Sequence, residues 1–145
     1  MSSLLVLKEG SCNIHEPQKK GDAGYDLVAA EVIKRTFFSV WYSTNLSVKI
    51  PDGTVGLLFP RSNITNASAL TLGNSVGVVD SGYTGKIQIR FNRTLKGIFT
   101  RKEYSVGERI AQLVIVPYLS IPIKLVDELP TTERSGGGHG HTGMS

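Results

Sequence analysis

Five short stretches of this chain carry side chains of types that can do acid–base chemistry or bind anions. Asp80 follows the hydrophobic run Gly77-Val78-Val79 and heads a Gly-flanked hairpin whose tip carries Tyr83. A carboxylate held at the end of a rigid strand works as a general base when it reaches a water beside an electrophile; by itself the same residue also closes ordinary turns. Phe59-Pro60-Arg61-Ser62-Asn63 ends an apolar strand with a guanidinium and a hydroxyl beside backbone amides. Such a set grips phosphate oxygens, and an ion pair between Arg61 and a nearby acid is an equally good reading. Asp22-Ala23-Gly24-Tyr25-Asp26-Leu27 puts two carboxylates four apart around a glycine, a pattern that alone describes a surface turn more often than a site. Gly107-Glu108-Arg109-Ile110-Ala111-Gln112-Leu113 enters an apolar run with Arg109 and Gln112, and buried polar groups need partners. Near the C-terminus, Arg134 precedes a Gly-rich stretch that lacks the Lys-Ser/Thr ending of a phosphate-binding Walker loop, while His139 and His141 are too few for a metal site.

Groups of this kind need rigid elements to hold them, and the hydrophobic pattern supplies strands. Val48 and Ile50, then Ile87, Ile89 and Phe91, alternate with polar neighbours at the period of two expected of half-buried strands. Pro51-Asp52-Gly53, Gly73-Asn74, Ser81-Gly82, Leu95-Lys96-Gly97 and Val106-Gly107 read as turns at short intervals, which describes an all-β domain. Ile110 to Val116 is apolar almost throughout and stops at Pro117, as a strand covered on both faces does. Ile121, Ile123 and Leu125 suggest one more strand, and Asn63–Leu72, capped by Ser62 or Asn63, is the only stretch that suggests a helix. The expected organisation is a β domain over residues 1–130 and a mobile Gly-rich arm over 131–145.

Composition narrows the function classes. The 145 residues suffice for one core, and 40% hydrophobic with 19% charged residues excludes a disordered chain. Val55-Gly56-Leu57-Leu58-Phe59 and Leu113-Val114-Ile115-Val116 fall well short of the roughly 20 residues of a spanning helix, and no signal-peptide pattern opens the sequence. An intracellular protein with no membrane association is expected. Cys12 stands alone and cannot form an internal disulfide. A net charge of +4 favours anionic ligands without forming a nucleic-acid-binding stripe, and the sequons at Asn45, Asn63, Asn66 and Asn92 carry little weight without a secretion signal.

Taken in order and spacing, the five stretches resemble the five motifs of trimeric dUTP pyrophosphatases: Asp22 to Leu27, Pro60-Arg61-Ser62, Gly77 to Asp80 with Tyr83 and Gly85, Gly107 to Leu113, and Arg134 through Gly143. The resemblance implies a jelly-roll-like distorted β-barrel with one short helix, and a homotrimer with interface active sites closed by the C-terminal arm. It implies Mg²⁺-assisted attack of water on the α-phosphorus of dUTP, giving dUMP and pyrophosphate. In that scheme Asp80 activates the water, and Asp26 and Gln112 hold metal-bound waters. Arg61, Ser62 and Asn63 contact phosphates, and Arg134 reaches the γ-phosphate. Asn74 and the backbone near Ile87 and Gln88 read the uracil edge, with the hairpin close enough to C5 to reject the thymine methyl; Gly77, Val78 and Val79 bind substrate, Tyr83 lies under the deoxyribose, and His139 with Gly140 covers the base. The chain departs from the family pattern at His139 for Phe, Asn63 for Gly or Ser, Ser135 for Gly and Asn45 for Gly, and the His139 exchange implies weaker stacking and a looser arm. The same resemblance leaves a dCTP deaminase and a nucleotide-gated regulator of a partner protein as alternatives on the fold, with no Glu placed near Asp80 to serve deamination. A capsid-like jelly roll without activity is the plainest alternative.

Overall fold

The structure is a computed structural model that describes residues 3–17, 19–61 and 69–132. In chain order the elements are β1 (Leu5–Lys8), β2 (Ile14–His15), β3 (Gly24–Val28), β4 (Glu31–Arg35), β5 (Ser39–Lys49), β6 (Thr54–Pro60), β7 (Leu70–Leu72), β8 (Gly77–Val79), β9 (Lys86–Arg93), α1 (Leu95–Thr100) and β10 (Arg109–Pro117). They build two five-stranded antiparallel sheets. In one, β5 pairs with β9 on one side and with β1 and β4 on the other, and β7 extends β9; the second runs β2-β3-β10-β6-β8.

The alternation in the sequence is what closes these sheets over one core. On β9, Ile87, Ile89 and Phe91 are buried while Lys86, Gln88 and Arg90 face outward. They meet Val40, Tyr42, Leu46 and Val48 of β5 and Ile110, Ala111 and Leu113 of β10, and each large aliphatic side chain so buried contributes about 2 kcal/mol. β10 lies between β3 and β6 in its sheet, with Ile110, Ala111 and Leu113 buried but Gln112, Val114, Ile115 and Val116 only half-buried, so the cover expected on both faces of this strand is not complete within the chain. Gly56 allows the two layers to close, since a Cβ there would lie 2.6 Å from Ile50 and 2.8 Å from Leu113.

An irregularity in β5 shapes the neighbouring β9. The β5–β9 register shifts between Ser43 and Ser47, and Asn45 takes a left-handed φ of 53°. The buried Thr44 hydroxyl donates to the Ile87 carbonyl at 3.0 Å, so the bulge leaves that carbonyl satisfied.

Three expectations need correction. Leu70–Leu72, expected at the end of a helix, is strand β7, paired with Phe91–Arg93; with Leu70 and Leu72 inward and Thr71 outward, three residues are too few to reveal the period of two. The helix of the described residues is instead at Leu95–Thr100, where Gly97 had the look of a turn. Thr94 caps this helix by accepting from the Gly97 amide at 3.2 Å, Arg101 ends it at a φ of 54°, and Gly97 is required because a Cβ would strike the Ala69 carbonyl. Ile121, Ile123 and Leu125 form no strand within this chain and are 73%, 92% and 93% exposed. Residues 62–68, which hold the rest of the expected helix, lie outside the described residues.

Candidate functional site

The site residues expected from the sequence fall into two groups at opposite ends of the second sheet. The first group surrounds a cavity of about 360 Å³ where the edge of β8 approaches β9. Asn74, Gly77, Val78, Val79, Asp80, Tyr83 and Gln88 all line it. Asp80 is the first residue after β8 and is exposed to the cavity. The following turn is tight: the Tyr83 amide donates to the Asp80 carbonyl at 3.0 Å, and the Tyr83 hydroxyl donates to the Lys86 carbonyl at 3.0 Å. Tyr83 lies over Gly85, where a Cβ would stand 2.6 Å from the phenol oxygen. This segment is a connection between sheets rather than the hairpin the sequence suggested, because β8 pairs with β6 whereas β9 pairs with β5 and β7. The open space between the two unpaired edges is the cavity.

Strand parity shows which backbone groups face that space. Arg90 accepts from the Gly73 amide at 2.8 Å on the β7 side of β9. Gln88, two residues away, directs its own amide and carbonyl to the same side, beyond the point where the chain turns off at Asn74. A peptide edge with one donor and one acceptor therefore borders the cavity and matches the imide edge of a uracil, which presents one acceptor and one donor in the same way.

Sequence reasoning missed several residues that serve this group. Trp41 and Leu58 line the cavity from β5 and β6, and Lys86 lines it from β9. Glu9 pairs with Lys86 at 2.6 Å, and this hydrogen bond and its charge raise the pKa of the exposed ammonium. Trp41 could have been noticed as the one tryptophan of the chain. Lys86 carried no signal, since it sits in the exposed phase of an ordinary alternation.

The second group is built on register. β10 lies between β3 and β6 and brings Gln112 opposite both Asp26 and Phe59, with Arg61 just past the end of β6. The buried Asp26 carboxylate pairs with Arg109 Nη1 at 3.0 Å and with Arg61 Nε at 3.2 Å. Gln112 packs on Gly24, where a Cβ would come within 3.3 Å. Asp22, Asp26, Arg109 and Gln112 border a cavity of about 470 Å³. Two guanidinium groups on one carboxylate leave a local charge of +1, suited to an anion. Arg109 donates a hydrogen bond to Asp26 Oδ2, whereas Oδ1 faces Arg61 Nε as an ion pair without hydrogen-bond geometry and is left as a buried acceptor open to a further donor such as water. No cluster of three or more His, Cys, Asp or Glu side chains occurs among the described residues.

The two groups do not share one ligand within a single chain. Asp26 is in register with Gln112 and Phe59, whereas Asp80 continues past the pairing of Val79 with Gly56. Three strand spacings across and four residues along put Asp26 and Asp80 of order 20 Å apart. Ser62, Asn63, Arg134, His139 and Gly140, also expected at the site, lie outside the described residues.

Comparison with known proteins agrees with the fold and the motifs. The family model described as dUTPase matches residues 11–143. Deoxyuridine 5'-triphosphate nucleotidohydrolase of Clostridium kluyveri is 39% identical over 126 residues, covering 86% of this chain and 85% of its own. The protein of that name from Paramecium bursaria Chlorella virus 1 is 35% identical over 147 residues, covering 99% of this chain and 100% of its own. Among solved structures, the dUTPase of Staphylococcus bacteriophage 80alpha with dUPNHPP superposes with a TM-score of 0.80 at 29% identity, covering 99% of this chain and 100% of that one; it is described among phage dUTPases that control transfer of virulence genes. The chain belongs to the dUTPase family.

Proposed function

We propose that this dUTPase hydrolyses dUTP to dUMP and pyrophosphate by attack of a water molecule that Asp80 orients and deprotonates. The water oxygen bonds to the α-phosphorus, the bond from that phosphorus to the α,β-bridging oxygen breaks, the proton passes to the Asp80 carboxylate, and pyrophosphate leaves. Arg61, with Ser62 and Asn63, contacts the phosphates, and Asp26 and Gln112 would hold, through water, a Mg²⁺ ion brought by the triphosphate, which would neutralise phosphate charge.

Uracil is read by the Gln88 peptide edge and Asn74. Cytosine presents the opposite donor and acceptor to that edge and is rejected, because a buried unpaired group costs about 1–3 kcal/mol. The Tyr83 ring under the sugar leaves no room for a ribose 2′-hydroxyl. The observation that carries the reading is the convergence of Asp80, Tyr83, Asn74 and the unpaired Gln88 edge on one cavity.

Supporting a homotrimer with shared active sites is the separation of Asp26 and Asp80, which a second copy can bridge by presenting its own Asp26 group to this Asp80. The exposed Ile121, Ile123 and Leu125 give such an assembly apolar surface to cover. Residues 131–145 act as an arm, with Arg134 on the γ-phosphate and His139 and Gly140 over the base. The 80alpha relative gives some support to an additional role through a protein partner. No helix among the described residues is long and apolar enough to cross a membrane, and an intracellular location fits the substrate.

The test is pyrophosphate release from dUTP, dTTP, dCTP and UTP with Mg²⁺, in the wild type and Asp80→Asn. Turnover of dUTP alone, reduced at least a hundredfold by the substitution, supports the reading. A wild type that leaves dUTP intact overturns it.

A further inference from the structure

Trp41 borders the nucleotide cavity and also a second cavity of about 280 Å³ that continues along β9 toward Leu72 and Arg90. Leu58, Asn74 and Gln88 border both spaces as well, and Trp41 has by far the largest side chain of the four. The indole ring is therefore the largest side-chain group at the junction of the two spaces.

That ring is held in place. Trp41 and Arg90 are register partners on β5 and β9, and the Arg90 guanidinium carbon lies 5.6 Å from the indole centroid. Arg90 Nε donates to Asn92 Oδ1 at 3.0 Å, which fixes the guanidinium over the ring. Gly73 closes against the stem of Arg90 so tightly that a Cβ would stand 3.0 Å from the Arg90 Cγ. Cation, ring and main chain form one packed unit.

We infer that Trp41 is a specificity-determining residue of the base pocket, limiting it to an unsubstituted uracil and sealing off the space behind. The inference rests on the reading of this cavity as the uracil site. With the polar edge of the base taken by the Gln88 peptide, the carbon edge, C5 and C6, is left to the apolar wall that Trp41 forms. Removing the ring joins the two cavities and opens room for an extended 5-substituent, which the intact wall excludes.

Two measurements test this with the full chain. Trp41 is the single tryptophan, so wild-type emission reports on it directly. Titration with the α,β-imido analogue of dUTP and Mg²⁺ is expected to give a saturable emission change that pyrophosphate does not reproduce. Turnover of dUTP with no emission change on analogue binding overturns the role of Trp41 and leaves the dUTPase reading standing; absence of both dUTP turnover and analogue binding overturns both. In the second measurement, kcat/KM for 5-propynyl-dUTP relative to dUTP is compared between wild type, Trp41→Ala and Trp41→Leu. A rise of at least tenfold in that ratio supports the assignment, and a ratio within twofold of wild type in a folded variant overturns it. If neither variant folds, the emission titration of the wild type decides.

Discussion

Lys49 Nζ donates to the carbonyl oxygen of Ser81 across 3.0 Å, so the end of β5 is tied to the turn that presents Asp80 and Tyr83. Asp52 holds the same ammonium at 2.7 Å and aims it. Lys49 does not line the cavity that Asp80 and Tyr83 border, so its role there is one of positioning. Lys49→Met is expected to lower kcat about tenfold with KM within twofold, since small displacements of a reacting group cost rate more than binding. Lys49→Arg should restore most of the loss, and steady-state kinetics on the three proteins checks this.

The contact between Tyr83 and Gly85 makes a second prediction. An added methyl group at position 85 must displace the phenol ring, because its carbon would lie 2.7 Å from Tyr83 Cζ. Gly85→Ala should therefore weaken discrimination against UTP about tenfold, read as the ratio of kcat/KM for UTP to that for dUTP.

Asp26 is the anionic centre of a pair of arginines. Asp26→Asn leaves Arg61 and Arg109 facing each other with no compensating charge, and their partial exposure softens the penalty. A loss of about 2 kcal/mol in stability is expected, visible as a lower urea midpoint with an unchanged slope.

Glu103 links Arg35, at 2.9 Å, and the buried Arg93. Burial pushes the carboxyl pKa up, but the hydrogen bonds from Arg93 and Arg35 and their charges outweigh it and hold the group below its ordinary value of 4.5. A carboxyl depressed in the folded state stabilises the fold fully above its unfolded pKa and loses that contribution as pH falls through the folded one. The stability gap between wild type and Glu103→Gln should be full at pH 7 and shrink below about pH 4.5. Urea titrations at a series of pH values measure it.

Asn45 occupies a left-handed backbone position in the β5 bulge, where its side-chain oxygen accepts from the Ser43 hydroxyl at 2.8 Å. Asparagine tolerates this conformation better than most residues. Asn45→Ala should cost about 1 kcal/mol, whereas Asn45→Gly should stay within about 0.5 kcal/mol of wild type, because relief of the strain offsets the lost hydrogen bond. Thermal unfolding of both variants distinguishes them.

The β character of the domain and the identities of its chemical groups are written in local stretches of sequence. Alternation at Ile87, Ile89 and Phe91 is a local property, since a strand's two faces are written in successive residues. The motif around Asp80 is likewise contiguous, so the residues lining the cavity beside Asp80 were largely legible there. The register of β3, β10 and β6 was not, and it alone puts Asp26, Arg61 and Arg109 in one ion-pair cluster from three distant stretches. The same holds for Gly97, which serves a close approach to Ala69 rather than a turn, and for the split of β8 and β9 between sheets. Trp41 reads as one more strand residue until the fold sets it between two cavities. These outcomes depend on contacts between residues far apart in the chain, and no local pattern of hydrophobicity encodes which distant strand a given strand will meet.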